Sequence, residues 1–369
     1  MIQSKVILCL LSLFMISMFS SCSDSDNGTQ QIIQLVCYPM EVSGGHGSFQ
    51  CDVKVQSDRE WTAYSENSWI HCNCLYNGEQ LVQVSVDPNN GKDERTGNLV
   101  IKSGTERVKI SVKQEGDHTQ DINPHTDLNG NYQLVWHDEF SKNSTGMPNE
   151  DDWWYEVWGP GKFNNELQRY VAGQQDGHKV AQITDDKLII TALRSGNEVI
   201  SARINTSRSW KYGYFEARLK LPKGKGTWPA FWMMPEKAEV WPDCGEIDIM
   251  EEVGAKANYV SSSIHCKAYN HIKGTQKTKE RYLDGAESEF HIYALEWTES
   301  FIRTYIDGKE WFTYQNDGAG NLSTWPFNKA FYVKFNLAWG GDWGGMHGVD
   351  ETCLPTSYEI DYIRVFQKK

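Results

Sequence analysis

Short runs that alternate apolar and polar residues recur from about residue 132 to the end of the chain. Examples are "DKLIITALRS", "YFEARLKLP", "FHIYALEW", "IRTYIDGKEWF" and "YEIDYIRVF". A period of two is typical of β-strands, and the Asp-Gly pair in "IDGKEW" is a hairpin signal. No long helical period and no internal repeat interrupt these runs. The region is therefore predicted to be all-β, with two stacked sheets in a jelly-roll-like sandwich and a long open groove.

A second, shorter set of strand patterns lies between residues 34 and 116. "GSFQCDVKVQSD", "LVQVSVDPNN", "RTGNLVIKSG" and "RVKISVKQEG" alternate between Gly, Asn and Asp breakers. They predict a small β-sandwich with Trp61 and Trp69 in its core. Residues 117–131 are polar and lack apolar periodicity, so they are predicted to be a linker to a domain spanning 132–369.

The chain starts with "MIQSKVILCLLSLFMISMFSSCSDSD", in which an apolar run extends from Val6 to Phe19. This run is short for a membrane span and fits the core of a signal peptide. The segment resembles a bacterial lipoprotein signal, which implies removal of residues 1–21, a lipid on Cys22 and an acidic tether over 22–33. The protein would then be a cell-surface, outer-membrane lipoprotein attached by its N-terminal lipid. A plain secretory signal with an incidental cysteine is the alternative.

The charge balance excludes one class of partner. The chain has 36 Lys and Arg against 49 Asp and Glu, without a basic block, so nucleic acid is not expected to bind. A carboxylate-lined cleft would also repel polyanions, which favours neutral substrates. The many aromatic residues fit sugar stacking as well as sandwich cores, so they do not choose between these uses.

The stretch "WPDCGEIDIMEEVG" carries an unusual density of acids on a strand pattern. Alternation places Glu246 and Asp248 on one face. Strict continuation would place Glu251 on the opposite, apolar face, where a carboxylate is unfavourable. One bulged residue near Met250 would shift the phase and bring all three acids to the same face.

Three acids on one strand face can perform retaining glycoside hydrolysis if the outer carboxyl groups are about 5–5.5 Å apart. One carboxylate attacks the anomeric carbon, and the other protonates the leaving oxygen and then activates water. The middle acid, Asp248, would hydrogen-bond the nucleophile, and its charge would help the acid to keep its proton. Taken alone, the three acids also fit a solvent-facing acidic strand.

"EIDIME" resembles the Glu-x-Asp-x-x-Glu signature of glycoside hydrolase family 16. The segments "VWHDEF", "NNELQRY", "YGYFEARLKLPKGKGTWPAFWMMP" and "YEIDYIRVF" match laminarinase-like members in order, so the likeness covers 132–369. It implies a concanavalin-like jelly roll, with Glu246 as nucleophile, Asp248 as assisting acid and Glu251 as acid/base. No catalytic cofactor is implied, and a monomer that binds polysaccharide is expected. Residues 34–116 resemble the BACON domain, as a spacer or a carbohydrate-binding module.

The same resemblance implies further site residues. The predicted substrate-binding residues are Trp228, Trp232, Trp241, Asn165 and His265. Core positions for the tryptophans, a turn for the asparagine and a structural role for the histidine compete with these assignments. Glu252 is expected to face solvent. Many members hold a structural calcium ion, for which Glu139 and Asp361 occupy matching positions; carboxylate oxygens suit this ion.

The leading hypothesis is an endo-β-glycanase that hydrolyses internal β-1,3 or mixed β-1,3-1,4 glucan linkages by double displacement. The loops "CKAYNHIKGTQKT" and "LAWGGDWGGMHG" depart from many laminarinases. They leave open an endo-β-galactosidase that cuts N-acetyllactosamine-containing host glycans. Two further hypotheses are a non-catalytic glycan-binding lipoprotein and a transglycosylase.

Overall fold

The chain forms two compact units, residues 1–121 and Ile122–Lys369. The structure is a computed structural model, and the residues it describes are 35–45, 47–75, 80–117, 122–141, 146–237 and 239–369. The predicted signal peptide, Cys22 and the tether lie outside the described residues. Within these ranges no helix has both the length and the apolar character needed to cross a membrane.

The smaller unit is a sandwich of two four-stranded sheets, ordered β1-β3-β6-β5 and β2-β8-β7-β4. Its strands are β1 Val36–Tyr38, β2 Glu41–Gly44, β3 Phe49–Gln56, β4 Thr62–Ser65, β5 Ile70–Leu75, β6 Leu81–Val86, β7 Arg95–Ser103 and β8 Glu106–Gln114. Valines and isoleucines at alternate positions of both sheets meet in one core. Trp61 is buried there, whereas Trp69 is partly buried and lies 4.3 Å below the Arg95 guanidinium.

The larger unit is almost entirely β-structure. Its strands are β9 Tyr132–Asp138, β10 Trp153–Tyr155, β11 Arg169–Tyr170, β12 Gln174–Gln175, β13 His178–Lys179, β14 Ala181–Thr184, β15 Lys187–Ser195, β16 Glu198–Ser201, β17 Arg203–Thr206, β18 Gly213–Lys220, β19 Thr227–Pro235, β20 Glu246–Glu252, β21 Tyr259–His265, β22 Lys277–Tyr282, β23 His291–Trp297, β24 Phe301–Ile306, β25 Lys309–Gln315, β26 Phe331–Trp339 and β27 Thr356–Lys368. A one-turn helix, α1, spans Gly341–Gly344.

Two sheets of this unit pack face to face, as predicted. One has seven strands in the order β10-β17-β26-β19-β20-β21-β22. The other follows β11-β16-β15-β27-β18-β23-β24-β25, with β14 on β15 and β9 on β27. Apolar side chains from both fill the space between them, and the rings of Phe231 and Phe335 stack there at 4.9 Å. The acidic strand β20 lies in the seven-stranded sheet. The face of this sheet that points away from the core is therefore the candidate location of the functional site.

The second half of the predicted linker is packed onto the larger unit. The backbone N–H of His125 donates a 2.8 Å hydrogen bond to the buried carboxylate of Glu216. Thr126 accepts a 2.8 Å hydrogen bond from the Tyr214 hydroxyl. The apolar side chains of the segment rest on a cluster of buried tyrosines: Ile122 and Leu128. Two apolar residues far apart give no periodic signal, which is why sequence patterns miss this packing.

Candidate active site

A β-bulge in β20 sets the direction of the acidic side chains. Towards β19, Met250 and Asp248 face consecutive residues, so Ile249 has no partner of its own. Towards β21, the register shifts between Asp248 and Glu251. Ile249 and Met250 are both buried in the core. The bulge predicted near Met250 is thus confirmed, and it is the local irregularity that a one-residue phase change requires.

As a result, Glu246, Asp248 and Glu251 project from the same face of the sheet. Asp248 lies opposite Trp232 on β19, and Glu246 lies opposite His265 on β21. Residues paired across antiparallel strands share a face, so these side chains form one cluster. The apolar residues between the acids point to the opposite face and are buried.

Two tryptophans hold the outer carboxyl groups. The indole N–H of Trp241 donates a 3.0 Å hydrogen bond to Glu246 Oε2. The indole N–H of Trp228 donates a 3.0 Å hydrogen bond to Glu251 Oε1. Because an indole N–H can only donate, each bond fixes one carboxyl oxygen and leaves the other for chemistry. The ring of Trp228 also packs edge-on against Trp343, at 5.4 Å.

His265 supplies positive charge beside the acids. Its Nε2 lies 3.3 Å from Asp248 Oδ2 and 3.9 Å from Glu246 Oε1. Burial disfavours an imidazolium, but the neighbouring carboxylates, Asp248 first, outweigh it and raise the pKa of His265 to about 9. His265 is therefore cationic at neutral pH. The ligating atoms of Glu246, Asp248 and His265 lie within 4.8 Å of one another, and His265 would have to lose its proton before it could bind a metal ion there.

The outer acids both have raised proton affinities. Burial and the negative charge of Asp248 raise the pKa of Glu246 to about 7. The same two causes raise the pKa of Glu251 to about 8. Carboxyl groups with pKa values near neutrality can both hold and release a proton there, which is what acid and base catalysis requires.

Trp232 lies on the same face, one strand away from the acids. Its indole N–H donates a 2.7 Å hydrogen bond to Asn336 Oδ1 on β26. The ammonium of Lys334 lies 4.8 Å from its ring, and the guanidinium of Arg203 lies 5.5 Å away. The half-buried indole is thereby fixed in place with part of its surface exposed.

Sequence reasoning missed a buried charge network next to Trp232. Arg203 lies 3.4 Å from the Glu156 carboxylate and 3.5 Å from the Glu166 carboxylate. Lys334 pairs with the same Glu156, and burial lowers the pKa of Lys334 to about 8. Two cations and two carboxylates balance, so these groups add polar hydrogen-bonding capacity without net charge. The sequence does contain a signal for this network. Two apolar strands each carry one cation, Arg203 in "SARIN" and Lys334 in "YVKFN".

Asn165 lies in a turn, which was the alternative to its predicted role in substrate binding. It is exposed, with a φ of 51°, in the left-handed region that asparagine tolerates. Its amide donates a 2.8 Å hydrogen bond to Asp342 in α1. This contact ties the loop before β11 to the segment "GGDWGG". A role for Asn165 in binding sugar hydroxyls stays a prediction.

The two residues predicted to ligate calcium do not fit a cation site. Glu139 accepts two hydrogen bonds from the Arg364 guanidinium, at 2.8 and 2.9 Å. Asp361 accepts a 2.6 Å hydrogen bond from Arg218. Each carboxylate is thus already paired with an arginine, whose positive charge disfavours a cation at the same place.

The expectation that Glu252 faces solvent is wrong. Its side chain is fully buried, and its Oε1 accepts a 2.7 Å hydrogen bond from the backbone N–H of Asn258. Once the bulge has turned Glu251 to the exposed face, alternation sends the next residue into the interior.

Comparison with known proteins agrees with this geometry. Residues 171–364 match the model of "Glycosyl hydrolases family 16", and residues 59–115 match that of the BACON domain. A β-glucanase from Rhodothermus marinus is 39% identical over 273 residues, covering 70% of this chain and 92% of its own.

A solved structure and a relative with a different activity in its name extend the comparison. The X-ray structure of the laminarinase from Rhodothermus marinus superposes with a TM-score of 0.61 at 40% identity, covering 64% of this chain and 98% of that structure. A keratan-sulfate endo-1,4-β-galactosidase from Sphingobacterium multivorum is 31% identical over 256 residues, covering 68% of this chain and 58% of its own. The matched family region contains the bulged strand β20 with all three acids, and the chain belongs to glycoside hydrolase family 16.

Proposed function

We propose that the protein is a retaining endo-β-glucanase that cleaves internal β-1,3 or mixed β-1,3-1,4 linkages. The observation that carries the proposal is the bulged strand β20. It presents Glu246 and Glu251 on one face, each held by a tryptophan N–H, with Asp248 between them. The names of the similar β-glucanase and laminarinase support the substrate class.

The mechanism uses the two outer acids of β20 in the roles that the family resemblance implies. Glu246, in its ionised form, attacks the anomeric carbon while Glu251 gives its proton to the leaving glycosidic oxygen. Glu251, now ionised, takes a proton from water, which attacks the covalent intermediate and releases the sugar. Burial and the charge of Asp248 keep the proton affinity of both outer acids high, and the positive charge of His265 lowers it.

The surroundings of the acids support binding of a long chain. Trp228, Trp232 and Trp241 are half-buried on the same face, and each indole is anchored by a hydrogen bond. Fixed aromatic faces stack on sugar rings at low conformational cost. We therefore assign these three residues to glycan subsites next to the cleavage point.

The mechanism is tested with Glu246→Gln and Glu251→Gln. Loss of the nucleophile should abolish hydrolysis, and loss of the acid should lower kcat by about 10²–10⁴-fold on unactivated glucan. Glu280→Gln, on β22, is the control because that carboxylate pairs with Lys256. Activity like that of the wild type in either catalytic variant would contradict the mechanism. Glucan binding by the wild type without shortening of the chain would instead favour a non-catalytic binding protein.

The second candidate is an endo-β-galactosidase. The similarity to the keratan-sulfate endo-1,4-β-galactosidase favours it, together with the departures in "CKAYNHIKGTQKT" and "LAWGGDWGGMHG". Incubation with laminarin, barley glucan, lichenan and glycans with N-acetyllactosamine repeats, followed by linkage analysis of the products, separates the two. Cleavage restricted to the last substrate would replace the first proposal with the second.

We also propose that the enzyme is held at the cell surface by a lipid on Cys22, with the BACON domain as spacer. The support is the position of the cysteine, where the apolar run ends and a polar segment begins. Cys22→Ser should abolish labelling with a fatty-acid analogue and release the protein from the membrane fraction. Unchanged labelling would rule out this anchor.

A further inference from the structure

A second carboxyl pair lies behind the catalytic strand. Glu252 directly follows Glu251 in β20 and pairs in the sheet with Val260 of β21. Its side chain points to the interior and is fully buried. One of its oxygens is satisfied by the backbone N–H of Asn258, at 2.7 Å. The other, Oε2, has no donor among the described residues.

Glu287, in the loop before β23, lies next to Glu252. Its backbone N–H donates a 3.1 Å hydrogen bond to the Asn258 side chain, so the same asparagine holds both glutamates. The carboxyl groups of Glu252 and Glu287 contact each other, yet Glu287 Oε1 also has no donor among the residues described. Two ionised carboxylates are acceptors only. A hydrogen bond between them therefore requires one proton in the contact.

The groups around the pair decide where the proton resides. Burial and the charge of Glu287 hold the pKa of Glu252 well above its usual range. Burial also raises the pKa of Glu287, but the ammonium of Lys223, in the turn before β19, opposes that rise. Tyr293 of β23 lies near Glu252, and the positive charge of Arg281 in β22 acts on the Tyr293 hydroxyl. Deeper burial of Glu252 and the charge of Lys223 beside Glu287 both favour the proton on Glu252.

We propose that Glu252 and Glu287 share one proton, and that this buried hydrogen bond positions the end of β20 that carries Glu251. The bond joins the residue after Glu251 to the loop before β23, and Asn258 connects both to the turn after β20. If the proton is lost, two negative charges face each other in the interior and push this strand end away from its support. The positioning role rests on the proposed function, whereas the shared proton does not.

The shared proton is tested through the pH dependence of stability. The unfolded chain releases this proton at a carboxyl pKa of about 4.3, whereas the folded pair still holds it. The pair's contribution to stability therefore falls as pH rises above that value. Glu252→Gln replaces the proton with an amide N–H that does not titrate. The fall in melting temperature from pH 5 to pH 8.5 should therefore be smaller in Glu252→Gln and in Glu287→Gln than in the wild type. Glu289→Gln, an exposed residue of the same loop, should follow the wild type. Identical pH dependence in all four proteins would overturn the proposal.

The positioning role is tested with kinetics per folded molecule on the glucan that the wild type cleaves. Glu252→Ala should lower kcat roughly tenfold or more, with little change in KM, because Glu251 is displaced from the leaving oxygen. Glu252→Gln should restore most of kcat. If Glu252→Ala fails to fold, the comparison of Glu287→Ala with Glu287→Gln replaces it. Unchanged kcat in the alanine variants would refute positioning, whereas a wild type inactive on every glucan would refute the proposed function and leave the stability test valid.

Discussion

At the scale of single residues, the chemistry depends on the charge states of four ionisable groups in one mostly buried cluster. Asp248 is buried between the two glutamates, and His265 contacts it from the next strand. Because the imidazolium compensates one carboxylate, a second carboxylate can ionise nearby. His265 was predicted as a substrate-binding residue, and its contacts in the structure are with the acids themselves.

Replacing His265 should move the acidic limb of the pH–rate profile. The nucleophile must be ionised, and the positive charge of His265 lowers the pKa of Glu246. In His265→Gln this pKa rises, so activity should be lost at a pH about one unit higher than in the wild type. Profiles of kcat/KM between pH 4 and 9 measure the shift. His271→Gln is the control because burial and the charge of His265 lower the pKa of His271, which is neutral near pH 7. Coincident acidic limbs in His265→Gln and the wild type would contradict this role.

Glu139 should stabilise the fold through charge rather than through a metal ion. Burial acts to raise its pKa, but hydrogen bonds with His137 and Arg364 outweigh this and lower it to about 2. The stabilisation by the Glu139–Arg364 pair is therefore fully present above the pKa of Glu139 in the unfolded chain, about 4.3. It is lost as pH falls towards 2. Glu139→Gln should cost about 1–2 kcal/mol at pH 7, allowing for partial exposure, and clearly less at pH 2.5.

Urea titrations at both pH values measure this difference, with the exposed Glu236→Gln as control. A chelator should leave the melting temperature of the wild type unchanged. A drop on chelation that calcium reverses would show that a cation binds despite the arginine pairs.

At the scale of elements, β20 combines a strand pattern with one irregular position. Either side of the bulge the strand alternates normally, which is why Glu246 and Asp248 share a face and why Glu252 is buried. The strand ends in a tight approach between two backbones. A Cβ on Gly254 would lie 2.0 Å from the carbonyl oxygen of Gly224 and 2.3 Å from Thr227 Oγ1.

Gly254→Ala should therefore destabilise the larger unit. A backbone oxygen cannot move aside as a side chain can, so the strand end must shift, at about 1–3 kcal/mol. The melting temperature should fall by roughly 2–4 °C for each kcal/mol. Gly159→Ala is the matched control, because its Cβ would meet only the flexible end of Arg169, at 3.4 Å. Equal melting temperatures for the two variants would show that the backbone adapts at Gly254.

At the scale of the whole molecule, the boundary between the units has a measurable consequence. The segment from Ile122 supplies a hydrogen-bond donor to the buried Glu216 and an acceptor to Tyr214. A protein that starts at Tyr132 lacks both partners and leaves a buried carboxylate with one donor fewer. It should be less stable than a protein that starts at Ile122 by about 2 kcal/mol or more.

Denaturant unfolding of the two truncated proteins measures this difference. Both should cleave soluble glucan at similar rates at temperatures where they are folded, since the segment contacts the ten-stranded sheet and not the face with the acids. Equal stability would mean that residues 122–131 contribute nothing to the larger unit.

Much of this protein could be predicted from its sequence. The alternation of apolar and polar residues predicted both β-sandwiches, because a period of two is visible within each single strand. The spacing of Glu246, Asp248 and Glu251 indicated a bulge, since a carboxylate on the core face would be too unfavourable to tolerate. The family resemblance then supplied roles for these acids.

Only the tertiary structure decided the rest. Glu139 and Asp361 each pair with an arginine that is more than 100 residues away in the chain, and burial changes what the Glu252 carboxyl can do. The partners of Arg203 and the indole donor to Glu251 are likewise distant in sequence. Sequence patterns report which face a side chain takes, whereas the proton affinity of a buried group depends on every charge that folding brings near it.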